Sequence, residues 1–131
     1  MNAGTGGALM TVEQMLLVQL NQTLTDSTVR DLRALVGSTL EEKALRGVVL
    51  DLASVDVMDS YLTRCIRDLA ISARLMGVPT VVCGVQPAVA DTLVEMGMDL
   101  GGIKTTLSLD SAIRALKTAT RPARKKGPST R

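Results

Sequence analysis

The chain has 131 residues, 46% of them hydrophobic, which makes one domain with room for one core. A single tyrosine, no Phe or Trp and no His exclude base-stacking platforms and imidazole-dependent Ser-His-Asp or Cys-His catalysis, and leave no zinc-ligand set. The formal charge of +2 conceals a split: residues 121–131 hold five of the 15 basic residues and none of the 13 acidic ones, leaving the body with 10 against 13.

The start, Met1 to Ala8, is small and polar with no basic segment, so it does not read as a signal peptide. Residues 1–9 are expected to be a flexible lead-in. Met15–Leu20 (MLLVQL) is a short apolar run suited to a strand. Thr25 or Asp26 then caps a helix whose apolar positions are Val29, Leu32, Leu35, Val36 and Leu40. Gly47 opens GVVLDL, a near-continuous apolar run of the kind covered on both faces of a sheet. After the acidic loop VDVMDSY, a second helix from about Ser60 places Leu62, Cys65, Ile66, Leu69, Ala73 and Met76 on one stripe, and Gly77 ends it.

Pro79 leads into TVVCGV, a second buried-type strand. Gln86-Pro87 starts a third helix, with Pro at an early position where its missing N–H does no harm; its stripe is Val89, Leu93 and Met96, and Gly97 closes it. Ile103–Leu107 reads as a short edge strand. Ser108 caps a last helix carrying Leu109, Ala112, Ile113 and Leu116, with Asp110 favouring the dipole. The tail, RPARKKGPSTR, combines like charges with Pro, Gly and Ser, so residues 119–131 are expected to be disordered. The tail reads first as solubilising, with contact to an acidic partner or nucleic acid second. Strands alternating with helices predict an α/β domain over residues 10–118, with a mostly parallel sheet and its functional loops at the carboxyl ends of the strands. No span of about 20 apolar residues crosses a membrane as a helix. Cys65 and Cys83 are expected to be reduced and buried, and the location cytoplasmic.

The VDVMDSY loop sits where such a sheet puts its sites. Asp51, Asp56 and Asp59 supply carboxylates, Ser60 a hydroxyl and Tyr61 the one aromatic ring. Paired acids serve acid–base or Mg²⁺ chemistry, but no second reactive group or nucleotide-binding glycine motif accompanies them. Ser60 has two readings that its residues leave open. In one it is a plain N-cap, accepting a backbone N–H of the next turn. In the other it accepts a phosphoryl group, which would meet unpaired N–H groups and the positive end of the helix dipole. Arg64 lies one turn on and Arg67 nearly two, within range of a phosphate, while Asp56 and Asp59 would reinforce its negative field toward a docked partner.

From GVVLDLASVDVMDSY through LMGVPTVVCGVQPAVADTLVEMG to TTLSLDSAI, the chain resembles the STAS domain family, and within it the S-type, RsbS-like antagonists of the bacterial stressosome. The resemblance covers about Met10 to Leu116. It implies a single STAS domain, a mixed, mostly parallel β-sheet flanked by α-helices with an antiparallel edge that the alternation alone does not reveal. It also implies a non-enzymatic regulator without cofactor or metal, phosphorylated on Ser60 by an RsbT-like serine/threonine switch kinase. Asp56, Asp59, Tyr61 and Arg64 are the expected partner-binding residues. The implied partners are that kinase and R-type STAS paralogues, in a large homo- or hetero-oligomer that sequesters the kinase until phosphorylation releases it. Conventional anti-sigma factor antagonists read D-S-S-G-L-G at this loop, whereas here Tyr61, Leu62 and Thr63 follow Asp59-Ser60. That departure points to the stressosome branch and leaves the conventional antagonist, phosphorylated by an anti-sigma factor kinase, as the alternative.

Overall fold

The computed structural model describes residues 7–21, 26–95 and 103–119. In chain order the elements are β1 (Gly7–Val12), β2 (Met15–Leu20), α1 (Asp26–Glu42), β3 (Gly47–Asp51), α2 (Ser60–Leu75), β4 (Thr80–Cys83), α3 (Pro87–Glu95), β5 (Lys104–Thr106) and α4 (Leu109–Ala119). The five strands form one sheet in the order β1-β2-β3-β4-β5. The β1–β2 pair is antiparallel and the other three pairs are parallel. This is the expected mixed α/β fold.

Side chains of successive strand residues point to opposite faces, and the apolar runs sort accordingly. Leu16, Val18 and Leu20 of β2, Val48 and Leu50 of β3 and Val82 of β4 face a core completed by Leu32, Val36 and Leu40 of α1, Leu62, Ile66 and Leu69 of α2, and Val89 and Leu93 of α3. Met15, Leu17, Val49, Val81 and Cys83 face the other way, onto Ala112 and Leu116 of α4. Right-handed crossovers that always step in the same direction carry α1, α2 and α3 to one face. The helix that follows the last strand covers the other face. Both faces are therefore closed, which is why β3 and β4 read as unbroken apolar runs.

Three expectations need correction. The lead-in was expected to reach residue 9, yet β1 begins at Gly7 and is held along its length by β2. Glu13 and Gln14 join the two strands with φ of 51° and 68°, the mirror-image turn geometry that matches strand twist. Met76 was assigned to the buried stripe of the second helix but is 41% exposed. It is the C-cap, with φ −91° and ψ 7°, so its side chain leaves the helical path just before Gly77 turns the chain at φ +81°. Leu35, at 37%, is likewise on the open side of α1. At the other boundary α4 runs through Ala119, while the tail 120–131, like Thr25, Met96 and Gly97, lies outside the described residues.

Cys65 and Cys83 are both free and buried. Burial pushes the Cys65 thiol up to about 11, with the Arg33 guanidinium pulling it down and Asp68 adding to the rise. Burial and then the Asp51 carboxylate do the same to Cys83, again to about 11. Between the ordinary value of 9.0 and 11 the unfolded chain loses these protons while the folded chain keeps them. Stability is thus intact below pH 9 and falls as pH rises toward 11. Denaturant titrations from pH 8 to 11 should show this decline, and Cys65→Ala should lessen it while leaving the part that Cys83 contributes.

Candidate functional site

Because β3 and β4 are parallel neighbours in register, with Asp51 beside Cys83, the loops that leave their carboxyl ends lie side by side. The loop after β3 is built from its own backbone outward. Leu52 N–H donates to Cys83 O at 2.9 Å, and Val55 N–H donates to Leu52 O at 2.9 Å, closing a turn. Asp51 Oδ1 accepts the Ala53 N–H at 3.0 Å. Val55 and Met58 drop into the core, at 0% and 5% exposure, leaving Asp56, Val57 and Asp59 outside.

Asp59 carries the start of α2. With φ −125° and ψ 176° it is the N-cap, and its Oδ1 accepts the Leu62 N–H at 2.8 Å. Its carbonyl accepts the Thr63 N–H at 3.0 Å. The capping reading of Ser60 is therefore corrected: both Asp and Ser are good caps, and the buried Val55 and Met58 place the aspartate, not the serine, at the half-helical position. Ser60 is the first helical residue and is exposed.

Asp56, Asp59, Ser60 and Arg64 are all exposed, Asp56 in the loop before α2, Asp59 as its cap, and Ser60 and Arg64 in its first two turns. Tyr61 is half-buried and packs against the core, and Arg67 is exposed one turn beyond Arg64. Thr63, the second hydroxyl of this turn, is buried at 3% exposure. Asp51, Asp56 and Asp59 do not gather: Asp51 accepts from Ala53, Asp56 from Gln86, and Asp59 from Leu62. Among the described residues no group of three His, Cys, Asp or Glu is placed to hold a metal ion. Among them, too, no helix is long and apolar enough to cross a membrane.

Sequence reasoning missed Gln86, which it took only as the lead into α3. Its Nε2 donates to Ala53 O and to Asp56 Oδ1, both at 3.0 Å, tying the loop after β4 to the loop after β3. It also missed Gly84, at φ +74°, whose missing Cβ lets the first loop approach. The signal for Gly84 was its place at a strand end; nothing local marked Gln86.

The profile of the STAS domain family matches residues 8–112. The serine-to-glutamate variant of RsbS from Moorella thermoacetica superposes with a TM-score of 0.78 at 33% identity, over 88% of this chain and 97% of that one. A chain of the solved stressosome, a signal integration and transduction hub, gives 0.79 at 34% identity, over 87% and 99%. The RsbT co-antagonist protein RsbRD of Bacillus subtilis (strain 168) is 31% identical over 84 residues, which are 62% of this chain and 30% of that protein. This chain thus spans less than a third of that curated relative. The unphosphorylated anti-sigma factor antagonist SpoIIAA, at 15% identity and a TM-score of 0.69 over 86% of this chain, shares the fold. The family profile covers most of the chain, and the chain belongs to the STAS domain family.

Proposed function

We propose that this chain is a non-enzymatic switch subunit of a stressosome-type assembly in the cytoplasm. With Ser60 unmodified it captures an RsbT-type serine/threonine kinase, alongside R-type STAS paralogues. Phosphorylation of Ser60 by that kinase releases it. The observation that carries this reading is the division of labour at the α2 start. Asp59 caps the helix, so the exposed Ser60 hydroxyl is not needed for folding and can be esterified without unmaking the cap.

The physical consequences follow from charge. A phosphoryl group adds about −1.5 to −2 at neutral pH. At the first helical position it is favoured by the dipole and by the α2 N–H groups, and Arg64, one turn on, offers a guanidinium. The fold tolerates the modification. A kinase surface complementary to the unmodified loop meets the new charge together with Asp56 and Asp59, and like charges brought together at an interface cost several kcal/mol. Its similarity to RsbS over nearly the whole of that chain supports the stressosome setting over the conventional antagonist.

The test is to incubate the purified chain with its cognate switch kinase and ATP and to map phosphate by mass spectrometry. One phosphate on the peptide holding Ser60, and co-purification with paralogues as an assembly of megadalton order, are expected. An unmodified Ser60 would end this reading, and a small binary complex with an anti-sigma kinase would restore the alternative.

A further inference from the structure

A primary amide carries two N–H donors, and Gln86 directs its amide at two acceptors of one loop that stand three residues apart. One is the carbonyl of Ala53, which begins the loop after β3; the other is the carboxylate of Asp56, at its exposed shoulder. The first half of that loop is fixed by its own turn and by Asp51. The last residue is fixed as the α2 cap. Between them Asp56 and Val57 stand out in solvent, Val57 at 67% exposure. Gln86 reaches this stretch from a different loop, the one that follows β4.

From this geometry we infer that Gln86 is a positioning residue of the switch: it holds Asp56, Val57 and the start of α2 in the one arrangement that a partner kinase reads when it takes Ser60 as substrate. The inference rests on Ser60 being the phosphoacceptor, and it names a residue outside the switch loop that sets how well the loop is presented. Pre-organising a loop in its bound form lowers the ordering cost of association, so its effect falls on binding rather than on the transfer step. Gln86 does not touch the transferred phosphate. It acts through Asp56 and the Ala53 carbonyl.

The experiment compares the full chain with Gln86→Ala, Gln86→Glu and Gln86→Lys in steady-state phosphorylation by the cognate kinase, with amide hydrogen exchange as a second readout. Gln86→Ala should raise the KM for the protein substrate about tenfold, equivalent to about 1.4 kcal/mol, with kcat unchanged. Exchange should quicken over residues 53–59 and stay slow in β3 and β4, which separates loop release from unfolding. Gln86→Glu, with no donor and a second carboxylate against Asp56, should be worse than alanine. Gln86→Lys, whose ammonium can serve both acceptors, should recover most of the KM. An unchanged KM and unchanged exchange in Gln86→Ala would overturn the inference, as would a fall in kcat alone or a lysine variant no better than alanine. If wild-type Ser60 takes no phosphate, the proposed function fails, while exchange over 53–59 still decides whether Gln86 orders the loop.

Discussion

Ser60→Ala should abolish phosphate incorporation by the cognate kinase while leaving the fold as stable as before. The two halves of this result come from different atoms. Phosphate needs the Ser60 oxygen, and the other hydroxyl of the turn, on Thr63, is buried at 3% exposure and out of a kinase's reach. Stability needs the cap, which belongs to Asp59 through its 2.8 Å bond to the Leu62 N–H. Removing an exposed hydroxyl from the first helical position changes stability by no more than about 0.5 kcal/mol. Were Ser60 the cap, the same substitution would cost about 1 kcal/mol or more, so thermal melting alone discriminates the two placements. Ser60→Asp adds one negative charge beside Asp56 and Asp59 and should weaken kinase capture on the order of tenfold, seen by surface binding. Phosphate persisting on Ser60→Ala would move the acceptor elsewhere, first to the exposed Ser54 of the same loop.

Much of this architecture was legible because its signals are local. GVVLDL and TVVCGV announce strands covered on both faces, and Gly77, Pro87 and Ser108 mark helix ends where the structure has them. What the sequence hid depends on partners distant along the chain or on choices between equals. β1 is a short run, GALMTV, with no turn signal to set it off, because its turn to β2 uses Glu13-Gln14 in place of the Asn-Gly that usually signals a two-residue hairpin. The resemblance supplied the antiparallel edge; periodicity did not. Asp59 and Ser60 are adjacent good caps, and the tie is broken by core packing of Val55 and Met58, which no local rule ranks. Gln86 bonds to residues 33 and 30 positions away, through a parallel strand pairing that only the folded sheet creates. The serine and acids of the site were readable as residue types, whereas the device that holds them in place was tertiary.

Gly84→Ala should be among the most damaging small substitutions near the site, and Gly77→Ala is its control. Both glycines have positive φ, +74° and +81°, so an alanine at either carries the left-handed backbone penalty of about 1–2 kcal/mol. They differ in what a methyl group would meet. At Gly77 nothing lies within 4 Å. At Gly84 a Cβ would stand 3.0 Å from the Ala53 nitrogen, 3.0 Å from Asp51 Oδ1 and 3.1 Å from Ala53 Cβ. Those are a backbone atom and a carboxylate already bonded to each other, so neither yields without breaking the turn. Overpacking of this kind adds about 1–3 kcal/mol, which brings Gly84→Ala to about 3 kcal/mol and a melting temperature lower on the order of 10 °C. Pushing Ala53 outward also carries its carbonyl away from Gln86. Measured where both variants remain folded, Gly84→Ala should raise the KM for phosphorylation of Ser60 and Gly77→Ala should not. Equal melting temperatures for the two would show that the close approach of the loops contributes nothing beyond backbone strain. A difference of the expected size, in melting temperature and in KM alike, ties the stability of the loops after β3 and β4 and the presentation of Ser60 to one contact, the packing of the loop after β3 on the backbone of Gly84.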